Sequence, residues 1–441
     1  MKVLYIVHSF PPFNWRGTEI YAMELARSMT EHHDCFLFHL VDDPAAAKVT
    51  TEEDVYQGIK VFRARLKLRP ETPETYFFHP ELETAFSEIL SQVRPHTVHF
   101  IYFAGGLPLS LPLQAADTGA CLFITVTDFS GICPRGQLVD RDGGLCKGPR
   151  QGLRCAWCLF GRTFLEGHSR TDRVLREYCP PLLASWLGRP SLDLLQKRLG
   201  AIKKAFGRAH LVVFPNRNCL RRYKDSGFTG NFTAMDYGID TAPFAVHHKR
   251  EATAVRIGFV GQLLPHKGLH VLAEALGGLE GDWKLVVYGS REDPAAENYY
   301  NSLALPYSRT EFRGTFDFSE MNRVLEDMDV LVVPSTWEEN CPLIVKYGLA
   351  TGTLVVASDQ PGISGGPSDN PGILRFRPGD AVDLRKTLDK ALVLLKNIDA
   401  PQNPAQQVTD VREQARYFAA EYEKCVKAWG AGALAEDADS G

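Results

Sequence analysis

Apolar runs and amphipathic stretches take turns along almost the whole chain. Short, nearly continuous apolar segments at Lys2 to Val7, Cys35 to Val41, Ile59 to Arg63, Thr97 to Tyr102, Cys121 to Val126, Leu211 to Phe214, Arg256 to Val260, Lys284 to Tyr288, Asp329 to Val333 and Leu354 to Ala357 have the length and character of strands buried on both faces. Between them, apolar residues recur at helical spacing over Ile20 to Met29, Pro80 to Val93, Leu107 to Ala116, Leu192 to Phe206 and Val408 to Trp429. Strands alternating with helices predict an α/β chain of parallel, doubly wound sheets. The loops that matter in such a sheet follow the carboxyl ends of strands, where the next helix offers free backbone N–H groups to an anion.

The pattern continues over 441 residues, enough for two domains with a core each. A composition of 44% hydrophobic and 23% charged residues excludes a disordered or fibrous chain. The net charge of −4 gives no reason to expect a nucleic-acid partner. The opening MKVLYIVHSF reaches polar Asn14-Trp15-Arg16 too soon for the apolar region of a signal peptide, and no run approaches the roughly 18 apolar residues of a membrane span. A cytoplasmic chain without a span is expected.

The stretch Val333 to Asp359 reads as strand, loop, helix, strand, with Pro342 opening the helix and Gly352 ending it. Its loop holds Glu338, Glu339 and Asn340. Pro-Ser-x-Trp-x-Glu-Asn-x-Pro-Leu, with Ser335, Trp337, Glu339, Asn340, Pro342 and Leu343 in place, resembles the donor-sugar motif of the family 4 retaining GT-B glycosyltransferases. The resemblance implies two Rossmann-like doubly wound domains with an interdomain cleft, and a nucleotide-diphosphate sugar as donor substrate. It implies that Glu339 hydrogen-bonds the donor hexose and that Asn340, Cys341, Pro342 and Leu343 line the donor site. The second family glutamate, eight positions on, which takes the nucleotide ribose, is here Tyr347.

Other loops bear the same comparison. Gly17-Thr18-Glu19 opens a helix after the first strand, where the family carries two glycines. Gly261-Gln262 and Pro265-His266-Lys267-Gly268 follow a strand in a phosphate-binding arrangement. In the family an Arg and this Lys clamp the donor diphosphate; here Gln262 replaces the Arg and Lys267 remains. Thr127-Asp128-Phe129-Ser130-Gly131-Ile132-Cys133-Pro134-Arg135 is similar to a His-Asp-aromatic-Trp-x-x-Cys-Pro-Arg run of one subgroup, with Thr127 in place of the His that faces the donor sugar. A hydroxyl can hydrogen-bond there, but it cannot titrate near neutral pH. Gly365 stands where a further family Glu would be.

Cys133, Cys146, Cys155 and Cys158 sit among Gly143, Gly144, Gly148 and Gly152. The terminal Cys-x-x-Cys suits tetrahedral thiolate ligation of a structural zinc; free or reversibly oxidised thiols, an iron–sulfur cluster and two disulfides are the alternatives. Four thiolates leave no open position, so no catalytic metal is expected. Residues 150–224 are rich in Arg and Lys, and Lys197, Arg198, Lys203 and Lys204 lie off the apolar stripe of a helix. This reads as a solvated basic face, or as a contact with anionic lipid or a lipid-linked acceptor at the inner membrane face.

The expected domains are residues 1–245 on the acceptor side, with a cysteine-rich insertion at about 128–165; residues 246–405 for the nucleotide sugar; residues 406–430 as a helix returning to the first domain; and a disordered tail at 431–441. The function expected from the resemblance is transfer of a hexosyl group to an acceptor hydroxyl of a glycan or glycolipid, with retention, and Glu339, Lys267 and Thr127 at the chemistry. The drift at Thr127, Gln262, Tyr347 and Gly365 keeps open a non-catalytic GT-B protein that binds a sugar nucleotide or a partner. A GT-B epimerase would rely on carboxylates that cannot be placed in this sequence.

Overall fold

The computed structural model describes residues 1–68, 77–141, 143–160, 189–245, 254–364, 372–397 and 408–439. They fall into two compact units, Met1–Met235 with Gln414–Gly441, and Asp236–Glu413. The division comes ahead of the expected boundary at residue 245.

The first unit is built on an eight-stranded sheet in the order β3-β4-β2-β1-β5-β6-β7-β8. Its strands are β1 (Lys2–Ile6), β2 (Asp34–Asp42), β3 (Thr50–Tyr56), β4 (Ile59–Leu66), β5 (Thr97–Phe100), β6 (Cys121–Thr125), β7 (Leu211–Phe214) and β8 (Phe232–Ala234). Every residue of β5, β6 and β7 is buried, as strands covered on both faces require. The helices are α1 (Gly17–Met29), α2 (Pro80–Val93), α3 (Leu111–Asp117), α4 (Leu153–Phe160), α5 (Arg189–Arg208) and α6 (Arg217–Asp225).

Strand β3 was not legible in the sequence. Thr50-Thr51-Glu52-Glu53-Asp54-Val55-Tyr56 is polar because it is an antiparallel edge, turned onto β4 through Gln57 and Gly58, both at positive φ. Glu52 and Asp54 pair across the ladder with Arg65 and Arg63. The sheet is therefore mixed at this edge rather than wholly parallel.

Two further readings need correcting. Arg198 does not join a solvated basic face: it is 3% exposed and donates to the backbone carbonyl of Ser130, whereas Lys197 and Lys204 are exposed. The stripe of Leu195, Leu199, Ile202 and Phe206 is buried as expected, but the adjoining turn takes Arg198 inward with it. The last helix, α13 (Val411–Asp439), includes residues 431–439, for which composition predicted no order. On it Phe418, Tyr422 and Cys425 face the first sheet, and Cys425 forms a disulfide with Cys121 of β6.

The second unit has a six-stranded parallel sheet in the order β11-β10-β9-β12-β13-β14: β9 (Val255–Val260), β10 (Trp283–Tyr288), β11 (Thr310–Gly314), β12 (Val330–Val333), β13 (Leu354–Ser358) and β14 (Ile373–Phe376). Its helices are α7 (Leu269–Leu276), α8 (Pro294–Asn301), α9 (Met321–Glu326), α10 (Leu343–Ala350), α11 (Pro361–Ser364) and α12 (Ala381–Asn397). In each sheet the chain works outward in one direction and then returns to the middle to work outward in the other. The reversals fall between β1 and β5 and between β9 and β12. Such switch points open a crevice beyond the strand ends, and both lead directly into the loops singled out above.

Candidate active site

In the second unit the loops after β9 and β12 are locked together by backbone. Thr336 N–H donates to His266 O at 2.9 Å. Gly268 has φ +77°, and a Cβ on it would stand 1.8 Å from Pro334 O, so only glycine fits. The loop after β13 closes against the same place, where a Cβ on Gly362 would stand 1.8 Å from Glu339 O.

These contacts place Lys267 and Glu339 side by side. Glu339 is 5% exposed, and its Oε1 accepts from Lys267 Nζ at 2.8 Å, Ser335 Oγ at 2.6 Å and Trp337 Nε1 at 2.8 Å. Among the described residues no side chain donates to its Oε2. The Lys267 ammonium also lies 4.9 Å from the centre of the Trp337 ring. Burial pushes the Glu339 carboxyl up, but the charge of Lys267 and the three hydrogen bonds outweigh it and hold the group below its ordinary value. The carboxylate is thus ionised at neutral pH and fixed in direction. It does not cap α10, whose N-cap is Pro342, without a side-chain cap bond. Burial and the neighbouring ammonium push the His266 imidazole down to about 4, so it stands neutral beside Trp337.

The other sequence candidates spread around this pair. Gln262 is exposed at the start of its loop, and Asn340 and Leu343 are buried. The Cys341 thiol faces Asp236 Oδ1 at 3.2 Å, and burial raises its pKa. Asp236 also pairs with buried Lys346, a contact across 110 residues that no local pattern reveals. Tyr347 is 2% exposed, stacked on Phe244 with ring centres 5.1 Å apart and meeting Phe318 edge-on at 5.6 Å. Gly365 lies outside the described residues.

The switch point of the first unit gathers groups that sequence reasoning largely passed over. His8 follows β1, and its Nε2 lies 3.1 Å from Oε1 of Glu19 in the first turn of α1. Glu19 is 1% exposed, and neither of its oxygens takes a hydrogen bond from another described residue. Tyr102, after β5, packs its ring tilted against His8 with ring centres 4.2 Å apart and donates to Asp128 Oδ2 at 3.3 Å. Burial raises the Asp128 carboxyl above its ordinary value, against its bonds to Ser130 and Tyr102 and the pull of His8. Thr127 Oγ1 is buried without a hydrogen-bond partner among the described residues, and Gly17 is exposed at the start of α1. The one available signal was position: His8, Tyr102, Thr127 and Asp128 each lie within three residues of a strand's carboxyl end, and Gly17 and Glu19 open the helix that follows β1.

The comparisons with known proteins agree with this architecture. Residues 254–393 match the family described as Glycosyl transferases group 1. A glycogen synthase of Francisella tularensis subsp. tularensis is 31% identical over 112 residues, which is 25% of this chain and 23% of that protein. The chain thus matches less than a quarter of the length of that curated relative. Among solved structures, the sucrose-phosphate synthase of Thermosynechococcus elongatus superposes with a TM-score of 0.61 at 15% identity, covering 98% of this chain and 99% of that one. Anabaena HepE in complex with UDP and glucose superposes with a TM-score of 0.63 at 13% identity, covering 95% and 98%. The chain therefore has the two-domain GT-B fold, and within it residues 254–393 match the Glycosyl transferases group 1 family, in keeping with the motif around Glu339.

Proposed function

We propose that the protein is a glycosyltransferase that moves a hexosyl group from a nucleotide-diphosphate sugar to an acceptor hydroxyl, with retention at the anomeric carbon. The observation that carries this reading is the ionised Glu339, held by Lys267, Ser335 and Trp337 at the switch point of the second sheet. A carboxylate with one oxygen anchored and the other without a side-chain donor among the described residues suits the paired hydroxyls of a sugar. In the reaction the bond from the anomeric carbon to the diphosphate breaks, a bond to the acceptor oxygen forms, and the acceptor proton passes to the departing diphosphate. Lys267 and the backbone N–H groups at the start of α10 would offset the charge that grows on that leaving group. Thr127, His8 and Asp128 would meet hydroxyls at the switch point of the first sheet. The acceptor is proposed to be a glycan or a lipid-linked sugar; exposed Lys197 and Lys204 suit a peripheral contact with anionic lipid, and no described helix is long and apolar enough to cross a membrane.

A second reading is favoured by one observation. The position eight after Glu339 is filled by the Tyr347 ring, packed between Phe244 and Phe318, where a carboxylate would otherwise serve the ribose. Losing one charged hydrogen bond costs about 1.5–3 kcal/mol, which at Tyr347 and Gln262 together would weaken an ordinary donor by roughly 10²–10⁴-fold and leave a sugar-nucleotide binding protein. Purified protein presented with a panel of uridine, guanosine and adenosine diphosphate sugars separates the two. Release of nucleoside diphosphate with a glycosylated product, its anomeric configuration read by NMR, supports the first; thermal stabilisation without turnover supports the second.

A further inference from the structure

We propose that Cys121, Cys425 and His210 form a redox-gated clasp: the two cysteines are joined as a disulfide when oxidised and, once reduced, hold a zinc-type ion together with the imidazole of His210. The inference does not rest on the glycosyl-transfer reading.

Among the described residues, the side chains that bring three ligand atoms within 4.8 Å of one another are those of Cys121, His210 and Cys425. Cys133, Cys146, Cys155 and Cys158, for which the sequence suggested a zinc, are unbonded thiols and form no such group among the described residues. In a tetrahedral zinc site, with Zn–S about 2.3 Å and Zn–N about 2.0 Å, the ligand atoms stand roughly 3.5–3.8 Å apart. Two sulfurs released from their bond settle at about the same separation, so side-chain rotation suffices to open the site.

The three ligands belong to the first unit, and the sheet sets two of them. Cys121 opens β6 and donates its N–H to His96 O at 2.9 Å; His210 immediately precedes β7 and donates its N–H to Leu122 O at 2.8 Å. The pairing of Phe123 with Leu211 puts His210 alongside Leu122. Asn231 Nδ2 holds the His210 carbonyl at 2.6 Å, and the imidazole lies parallel to the Phe123 ring with centres 6.3 Å apart. The third ligand comes from α13, where Val411, Ala415, Phe418, Tyr422 and Cys425 form the buried stripe. The group stands at the amino-terminal end of β6, whereas Thr127 and Asp128 follow its carboxyl end, so it is apart from the candidate active site.

Charge favours the loaded state. Two thiolates and a neutral imidazole around a dication sum to zero, which leaves no uncompensated charge beside two buried cysteines. Three protein ligands leave a fourth position, which water can take on the side of half-buried His210. A dithiol reductant supplies the two electrons and two protons that turn the disulfide into two thiols, and itself closes to a cyclic disulfide. Each thiol then gives up its proton as its sulfur bonds the ion, and His210 contributes a ring-nitrogen lone pair. Both forms tie α13 to β6, so the closing helix stays fastened after reduction as well as before it.

The test uses the full-length protein, freed of metal, in an oxidised form and in a form reduced by a trialkylphosphine, each titrated with zinc chloride alone. The reduced parent should take up about one more zinc per chain than either the oxidised parent or reduced His210→Ala. Zinc should raise the melting temperature of the reduced parent by several degrees and leave that of reduced His210→Ala and reduced Cys425→Ser unchanged. His210→Ala keeps both cysteines, so its oxidised form should melt as the oxidised parent does, which separates loss of a ligand from loss of the fold. Cys146→Ser should respond to zinc as the parent does. Equal zinc uptake by the reduced parent and reduced His210→Ala would overturn the proposal. So would a reduced parent whose melting temperature ignores zinc, or an oxidised parent that binds as much zinc as the reduced one.

Discussion

Glu339 joins an acid–base statement to a stability statement. Its folded pKa lies below its unfolded one, so it contributes stability that is fully present above about pH 4.3 and is lost as pH falls through the folded value. Glu339→Gln keeps the shape and one acceptor oxygen but removes the charge facing Lys267. The expected outcome is loss of transfer by at least about 100-fold, with only about 1–2 kcal/mol of stability lost at pH 7. Between about pH 5 and 3 the variant should lose less stability than the parent, which chemical denaturation across that range would show. Equal turnover in the two proteins would remove Glu339 from the chemistry. Gly268 should be far less forgiving. Gly268→Ala places a Cβ against Pro334 O at a left-handed backbone position, with an expected cost of at least about 2 kcal/mol and lost donor binding, read by melting temperature and calorimetry.

Helix α10 carries the largest departure from the family pattern. An exchange of Tyr347 for Glu would be expected, from sequence, to restore a ribose acceptor. In the folded chain it would remove a ring packed on Phe244 and Phe318 and leave a buried carboxyl in its place. Tyr347→Glu is therefore expected to cost about 2–4 kcal/mol of stability and to bind uridine diphosphate sugars no tighter than the parent, measured by thermal melting and calorimetry. A gain of tenfold or more in affinity would mean that the helix can turn its 347 position to the nucleotide. The same helix shows what pattern alone supports. Pro342, the apolar run and Gly352 marked its ends, because cap chemistry is local, whereas the neighbours of its fifth residue come from Phe244 and Phe318, distant in sequence.

The closing helix α13 is fastened to the first sheet by Phe418, Tyr422 and the Cys121–Cys425 disulfide, which spans 304 residues of sequence. A cross-link over so long a loop restricts the unfolded chain, typically by about 2–4 kcal/mol. Reductant is expected to lower the melting temperature of the parent, and Cys425→Ser should show the lowered value with no further response to reductant. Identical melting of parent and variant under oxidising conditions would show that the bond is not formed in solution.

Strands buried on both faces must be apolar whatever surrounds them, so ten of the fourteen described strands, the doubly wound alternation and the loops of the second unit were legible in the order of residues. The cluster around Glu339 was legible too, since Ser335, Trp337 and Glu339 lie within five consecutive positions and meet at one oxygen. Strand β3 was hidden because an edge strand answers to its cross-strand charges and not to a core. Lys267 reaches Glu339 across 72 residues, Arg198 reaches Ser130 across 68, and Tyr102 meets His8 and Asp128 only where β1, β5 and β6 end together. Burial and electrostatic partnership are properties of neighbours in space, and those neighbours were chosen by the strand order of each sheet. Hence the composition and motifs of the chain established the kind of fold and the loop around Glu339, while the tertiary structure decided which charges face each other, which rings surround Tyr347, and which arginine is drawn into the core.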